Sequence, residues 1–322
     1  MDVDRGTLAH VVMIIAVLAV SVGNTAVSLL GLRGYDAWTL VVFRGFVCPL
    51  VTVPACLGLG VSMLGRPKAE RGRPDMIAAQ AVLNGVAVWL GLLALDNMLL
   101  SLAVVLINTI PIWTSVLATL LLGERFTLAD ALALLLATAG VAVVTGLYGD
   151  LFGDAAAALP PSTLGWALAS LLSALLFAGG QICVRVAPGE PALVLSNAVY
   201  VLTLVAVVGG VFPVMAEQRG GRDFARMADQ LFGSDGGAAG VDAHAGTRAL
   251  LYVFPLLFVA TSVSMNYAIQ IANGVNYIIV WFYFTLPFCY AMQALAERTP
   301  IAPKVWWGGA LVLLATIISR GQ

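Results

Sequence analysis

The sequence predicts an all-α integral membrane protein, with ten transmembrane helices arranged as two inverted five-helix repeats. Three observations predict it. Of the 322 residues, 61% are hydrophobic and only 10% are charged, whereas soluble globular proteins carry about a quarter charged residues. The charges gather between apolar runs rather than inside them. At ~20 residues per span, the runs suffice for ten crossings joined by short connections. So few charges cannot cover a water-facing surface, which excludes a soluble enzyme, and the apolar content excludes a disordered chain. A net charge of −1 creates no field that would draw a nucleic acid.

The elements follow in order. Leu8–Leu30 is apolar for longer than the core of a signal peptide and ends without a clear small-residue cleavage site, so it reads as the first span. Ala37–Val61 follows a short turn, and the basic loop Arg66–Arg73 leads to Asp75–Leu95. A tight connection at Asp96 opens Leu99–Leu122, and Leu128–Leu147 completes the first repeat, residues 1–148. An acidic, alanine- and proline-bearing linker, 149–162, precedes the second repeat, 163–322. Its spans are Leu164–Val186, Ala192–Met215, Ala249–Ile271, Val275–Leu295 and Ile301–Ile318, with a longer loop at 216–246.

Loop charges give the orientation. With a cytoplasmic amino terminus, Arg5, Arg66, Lys68, Arg71, Arg73 and Arg125 of the first half fall inside, against Arg33 outside. The second half reverses the bias: Arg185 and Arg320 oppose Arg219, Arg222, Arg226, Arg248, Arg298 and Lys304. Opposed bias is what two oppositely oriented units would show. Both termini are expected in the cytoplasm, with the chain in the plasma (inner) membrane.

An internal repeat supports that plan. Ala118-Thr-Leu-Leu-Leu-Gly-Glu124-Arg125 recurs as Ala291-Met-Gln-Ala-Leu-Ala-Glu297-Arg298, each copy closing one span before the last helix of its half. Ala94-Leu95-Asp96 has a counterpart in Ala268-Ile269-Gln270. Asn108-Thr-Ile-Pro111, the Gly123-Glu124-Arg125 element and a small-residue helix ending Val-Val-Thr-Gly146 resemble the EamA-type domain of the drug/metabolite transporter superfamily. The resemblance extends over nearly the whole chain as two such domains, although Ala296 replaces the glycine in the second copy. It implies a secondary transporter, similar to exporters of aromatic amino acids and other metabolites.

At about 100° per residue, several spans carry polar faces. Ser262, Asn266, Gln270 and Asn273 share one on helix eight; Gln80, Asn84 and Gly91 on helix three. Helix four gathers Asn108, Pro111 and Ser115; helix one Ser21, Asn24, Thr25 and Ser28; helix six Ser170, Ser173, Phe177 and Gln181. Helix nine presents Tyr277, Trp281, Phe284 and Phe288. The resemblance implies that these six helices line a central cavity. The expected substrate-binding residues are therefore Asn24, Asn84, Asn108, Ser115, Gln181, Ser262, Asn266, Gln270, Tyr277 and Trp281. For any single residue, gluing helices together is as good an explanation.

Amides, hydroxyls and aromatic walls suit a small neutral or zwitterionic solute such as an amino acid. A phosphorylated cargo would need cationic partners, which makes a sugar-phosphate or nucleotide-sugar exchanger the alternative, along with an amphipathic lipid translocator. Arg44, inside helix two, and Asp96 form an expected gate or strut. Glu124–Arg125 and Glu297–Arg298 read as interface anchors and caps. Cys48, Cys56, Cys183 and Cys289 lie in apolar runs, and His10 and His244 are far apart in sequence. No metal, cofactor or catalytic constellation is expected, and an integral-membrane lipid-modifying enzyme is the distant alternative. The small-residue helices five and ten suit packing against each other or against a second copy, so the expected partners are a small-molecule substrate, the lipid bilayer and a homodimer mate, but no nucleic acid.

Overall fold

Helix α1 (Arg5–Leu32) begins where the Asp4 carboxylate accepts the Thr7 backbone N–H, satisfying one of the orphan donors of its first turn. The computed structural model describes residues 4–35, 37–62, 73–97, 105–145, 163–206, 245–297 and 303–320. Helix α2 (Ala37–Gly58) contains Pro49 and Pro54, and α3 (Pro74–Asn97) starts on a proline, which has no N–H to leave unsatisfied. Helix α4 (Ile110–Leu122) ends at Gly123, whose φ of 68° is the left-handed conformation a helix stop favours. Four residues beyond Gly123, Thr127 donates its N–H and hydroxyl to the Asp130 carboxylate while Thr127 Oγ1 accepts the Asp130 N–H, a reciprocal cap for α5 (Leu128–Thr145).

The remaining helices are α6 (Thr163–Val186), α7 (Ala192–Ala206) and α8 (Ala245–Ile271). The ninth span is broken. Its first piece is α9 (Val275–Ile279), followed by a 3-10 stretch (Val280–Phe284) and then α10 (Thr285–Glu297). Helix α11 (Pro303–Arg320) ends the chain. All the regular structure among the described residues is helical. Arg5–Gly31, Val105–Leu122, Leu128–Thr145, Leu164–Val186 and Thr247–Ile271 are long and apolar enough to cross a membrane; Val42–Gly58, Ala192–Val205, Val280–Met292 and Pro303–Ile318 are shorter apolar helices.

Packing follows three main seams: α3 runs along α6, α1 along α8, and α5 along α11. Helices α2 and α7 pair as well, α4 leans on α6, and α10 leans on α1. Every one of these contacts joins an element before residue 149 to one after it. One buried cluster joins Ala9, Met13, Ile182, Met265, Ile269 and Ile278. A second joins Ala137, Val141, Tyr283 and Val312, and a third joins Leu30, Leu40, Leu251 and Phe254.

The α5–α11 seam is the closest. A Cβ built on Gly140 would meet the Gly308 carbonyl oxygen at 2.7 Å and Val312 Cγ2 at 2.9 Å, so two backbones touch where only glycine fits. The small faces expected on these helices are thus occupied by each other within one chain. Gly140→Val is expected to lower stability by ~1–3 kcal/mol through overpacking, read as a fall in thermal midpoint in detergent. Gly165→Ala, at a position with nothing within 4 Å of its Cβ site, is expected to leave the midpoint in place.

Candidate functional site

Two spans are interrupted at comparable places. Before α4, Val105–Ile107 is helical, Asn108 and Thr109 form a turn, and Pro111 sits at the helix start. The Leu106 carbonyl accepts both the Thr109 hydroxyl, at 2.6 Å, and the Thr109 backbone N–H, at 3.1 Å, which closes the turn. In the ninth span the 3-10 stretch runs up to Thr285, with Pro287 just beyond. A proline removes an N–H from the ladder, and broken helices in corresponding positions of two halves are the usual mark of a solute site. The second break holds an aromatic row: Trp281 and Phe284 have ring centroids 5.4 Å apart, and Phe284 and Phe288 5.8 Å, with interplanar angles of 33° in both.

A polar chain crosses α3, α8 and α7. Gln80 Nε2 donates to Asn266 Oδ1 at 3.4 Å, Asn266 Nδ2 donates to Ser196 Oγ at 2.9 Å, and Ser262 donates to the same hydroxyl at 3.0 Å. Ser196 in turn donates to the Ala192 carbonyl, so its oxygen is fully used. Where α3 crosses α6, Asn84 lies directly against Gly180 and Ser173 Oγ donates to the Ala87 carbonyl at 2.7 Å. Gln80 Oε1, Asn84 Oδ1 and Gln181 Oε1 are buried with no hydrogen-bond partner among the described residues, on residues 1%, 5% and 2% exposed. A buried acceptor left unmade costs about 1–3 kcal/mol, so three on two packed helices call for further donors.

The face that carries the amino terminus is closed by a second polar network. Arg185, at the end of α6, donates to the carbonyls of Ile269, Gln270 and Ala272 at 3.2, 3.2 and 2.6 Å, and to Asn273 at 3.3 Å. These are the unpaired acceptors at the carboxyl end of α8, where a cation is favoured. Its Nε lies 3.6 Å from Glu124 Oε1, while Glu124 Oε2 accepts the Val275 N–H that opens α9 at 2.9 Å. Asn276 Nδ2 donates to the Arg125 carbonyl at 3.3 Å, and Gln270 Nε2 donates to the carbonyls of Ala187 and Glu190 at 3.0 and 2.8 Å. Glu190 Oε1 accepts the Arg73 N–H at 2.7 Å, bringing in the start of α3.

Residues 7–146 match the EamA-like transporter family. The chain carries an EamA-type transporter domain. Together with helices long and apolar enough to cross a bilayer, that match makes the chain an integral membrane protein. A solved structure described only as the crystal structure of a protein is similar over 98% of this chain and 96% of that one, with a TM-score of 0.71 at 16% identity. That likeness concerns the fold alone. No curated protein matches the sequence.

The expected binding residues are distributed unevenly. Asn84, Gln181 and Asn266 are buried at the α3–α6–α8 crossing, and Ser262 joins the same hydroxyl as Asn266. Trp281 stands in the aromatic row, Asn108 in the turn before α4, and Ser115 is buried in α4. Asn24 is exposed on α1, and the side chain of Tyr277 lies outside the described residues. Gln270 shares the helix-eight face, but its amide is engaged at the α6–α7 turn, which places it in the closed face. Arg44 stacks over the Phe258 ring at 4.6 Å, and the Asp96 side chain lies outside the described residues.

Glu124, expected as an anchor or cap at a span end, accepts the N–H that opens α9 and pairs with Arg185. Ser196 and Arg185 were missed by face arithmetic. The adjacent Ser196-Asn197 pair in an otherwise apolar span was the available signal for the first. Among the described residues no group of His, Cys, Asp and Glu converges as a metal site, and all four cysteines are unbridged.

Glu124 and Arg185 side chains are 16% and 22% exposed, so their pairing is only partly screened. Removing each charge alone strands its partner. In a double-mutant cycle on thermal stability, Glu124→Gln and Arg185→Gln together are expected to cost less than the sum of the two singles, by on the order of 1 kcal/mol. Additive losses would mean that the pair does not couple.

Proposed function

We propose that the chain is a secondary transporter moving a small neutral or zwitterionic organic metabolite, such as an amino acid, by alternating access between two inverted five-helix halves. One observation carries the cargo class. The buried carboxamide oxygens of Gln80, Asn84 and Gln181 lack partners among the described residues, and they would be matched by a solute rich in neutral or ammonium donors. The aromatic row from Trp281 to Phe288 gives its apolar part a surface to stack on.

The cations support the same reading. Arg185 is engaged by carbonyls and Glu124, Arg33 donates to Thr247, and Arg44 rests on Phe258. A phosphorylated cargo would have to pull one of them away from its present partner. The pairing of elements supports the two-halves reading: exchanging each of the first five spans with the span five later turns α3–α6 into α8–α1 and leaves the α2–α7 and α5–α11 pairs in place. The networks that close the amino-terminal face fit a carrier closed on that side.

The test is uptake by purified protein in liposomes, with a labelled panel of amino acids, neutral metabolites and phosphorylated sugars. Saturable uptake of a neutral or zwitterionic compound is expected. Asn84→Ala and Gln181→Ala are each expected to raise its half-saturation concentration about tenfold, the equivalent of one hydrogen bond of ~1.4 kcal/mol. Uptake confined to phosphorylated sugars would overturn the cargo class.

A further inference from the structure

We propose that His10 is a proton-binding residue of the transport path, where the proton and the Trp281 indole compete for one ring nitrogen. The proposal rests on the transport reading above only in its last step. His10 stands in the second turn of α1, about 8 Å along the axis from Arg5 at 1.5 Å per residue. Trp281 Nε1 donates to its Nδ1 at 3.0 Å, with the rings edge-on, centroids 6.3 Å apart and planes at 62°. An indole N–H can only donate. Whichever ring nitrogen faces it must therefore hold a lone pair, so the argument does not depend on how the imidazole is turned. In this arrangement the ring is neutral.

Protonation changes the bond's sign. A proton taken from water adds to the Nδ1 lone pair and puts N–H on both ring nitrogens, leaving two donors pointed at each other. The indole hydrogen bond then breaks, and either the imidazolium or Trp281 must turn away. Trp281 is the first ring of the aromatic row and lies in the 3-10 break of the ninth span. Proton binding at His10 thereby acts on the wall of the proposed solute site. Two ligands that each shift the same side chain are linked, and the linkage works in both directions.

From Ala249 to Ala296, the stretch that includes α9 and nearly all of α8 and α10, there is no Asp, Glu, Lys, Arg or His. The titratable side chains there are Tyr252, Tyr267, Tyr277, Tyr283, Cys289 and Tyr290, all phenols or a thiol. Asp4 and Arg5 flank the start of α1. Glu124, Arg185 and Arg125 meet the α8–α9 turn, the first two as an ion pair. Arg44 of α2 stacks on Phe258, whose ring lies beside Gly23, more than three turns farther along α1. Asp130 on α5 is held by Thr127. Histidine is the side chain whose charge normally changes between pH 5 and 8.

The experiment titrates the purified full chain in nanodiscs from pH 5 to 8 while tryptophan emission is read. Wild type is expected to show a single-proton transition. His10→Gln keeps an acceptor oxygen without titrating, and Trp281→Phe removes the donor, so both are expected to give flat curves. The chain has only one other histidine, His244; a transition that survives in His10→Gln overturns the proposal, as does a flat wild-type curve. In liposomes, the ratio of labelled amino-acid uptake with and without a pH gradient is expected to fall to about one in His10→Gln. An unchanged ratio overturns the coupling. A transition that vanishes in both variants while wild type moves no solute supports the proton site and overturns the transport reading.

Discussion

Arg185 lies where the end of α6 meets the end of α8 and the start of α9, and its guanidinium reaches four backbone carbonyls and one carboxylate. A helix end inside or beside a bilayer leaves acceptors that lipid cannot satisfy. Here one cation satisfies the end of α8 while Glu124 satisfies the beginning of α9, and the two charges neutralise each other. The tight turn Ala272–Gly274 depends on that arrangement. So does the position of Glu124, which is set by the left-handed Gly123 that ends α4. Closure of this face, the entry angle of the broken ninth span and the placement of Trp281 all follow from where these two side chains sit.

The middle of the bundle is governed by a different constraint. Amides there share partners sparingly: Ser196 accepts from two side chains and donates to one carbonyl, while three carboxamide oxygens find none among the described residues. A saturated seam would be more stable and would have nothing left to offer a solute. An incomplete one holds the helices together and keeps acceptors available. The glycines have the complementary task. Gly180 lets Asn84 lie against a backbone, and Gly140 with Gly308 brings α5 and α11 into backbone contact.

Much of this was legible from residues. The apolar runs and their connections gave the helices, since composition alone decides what can lie in lipid. Pro111 and the Gly123-Glu124 stop marked α4. The faces through Asn84, Gln181, Ser262 and Asn266 followed from helical period. Period gives the direction of a side chain but not its reach, and Gln270 shows the difference: it shares the face of Asn266, yet its amide extends to the α6–α7 turn. The 3-10 break was hidden because Val280-Trp-Phe-Tyr-Phe284 is as apolar as the helix around it. His10 looked isolated because its partner is 271 residues away in sequence. Arg185 and Glu124 each resembled an ordinary span end, and only the fold puts them together.

Each of the three main seams joins an early element to a late one: α3 to α6, α1 to α8 and α5 to α11. During synthesis the first five spans are therefore made before any of these partners exists. Until α6 emerges, Asn84 faces acyl chains or the insertion machinery instead of Gly180, and α5 presents a bare glycine notch to lipid. The nascent first half is an unfinished surface rather than a stable domain. Its assembly is a templating step in which the second half supplies the missing side of the three main seams.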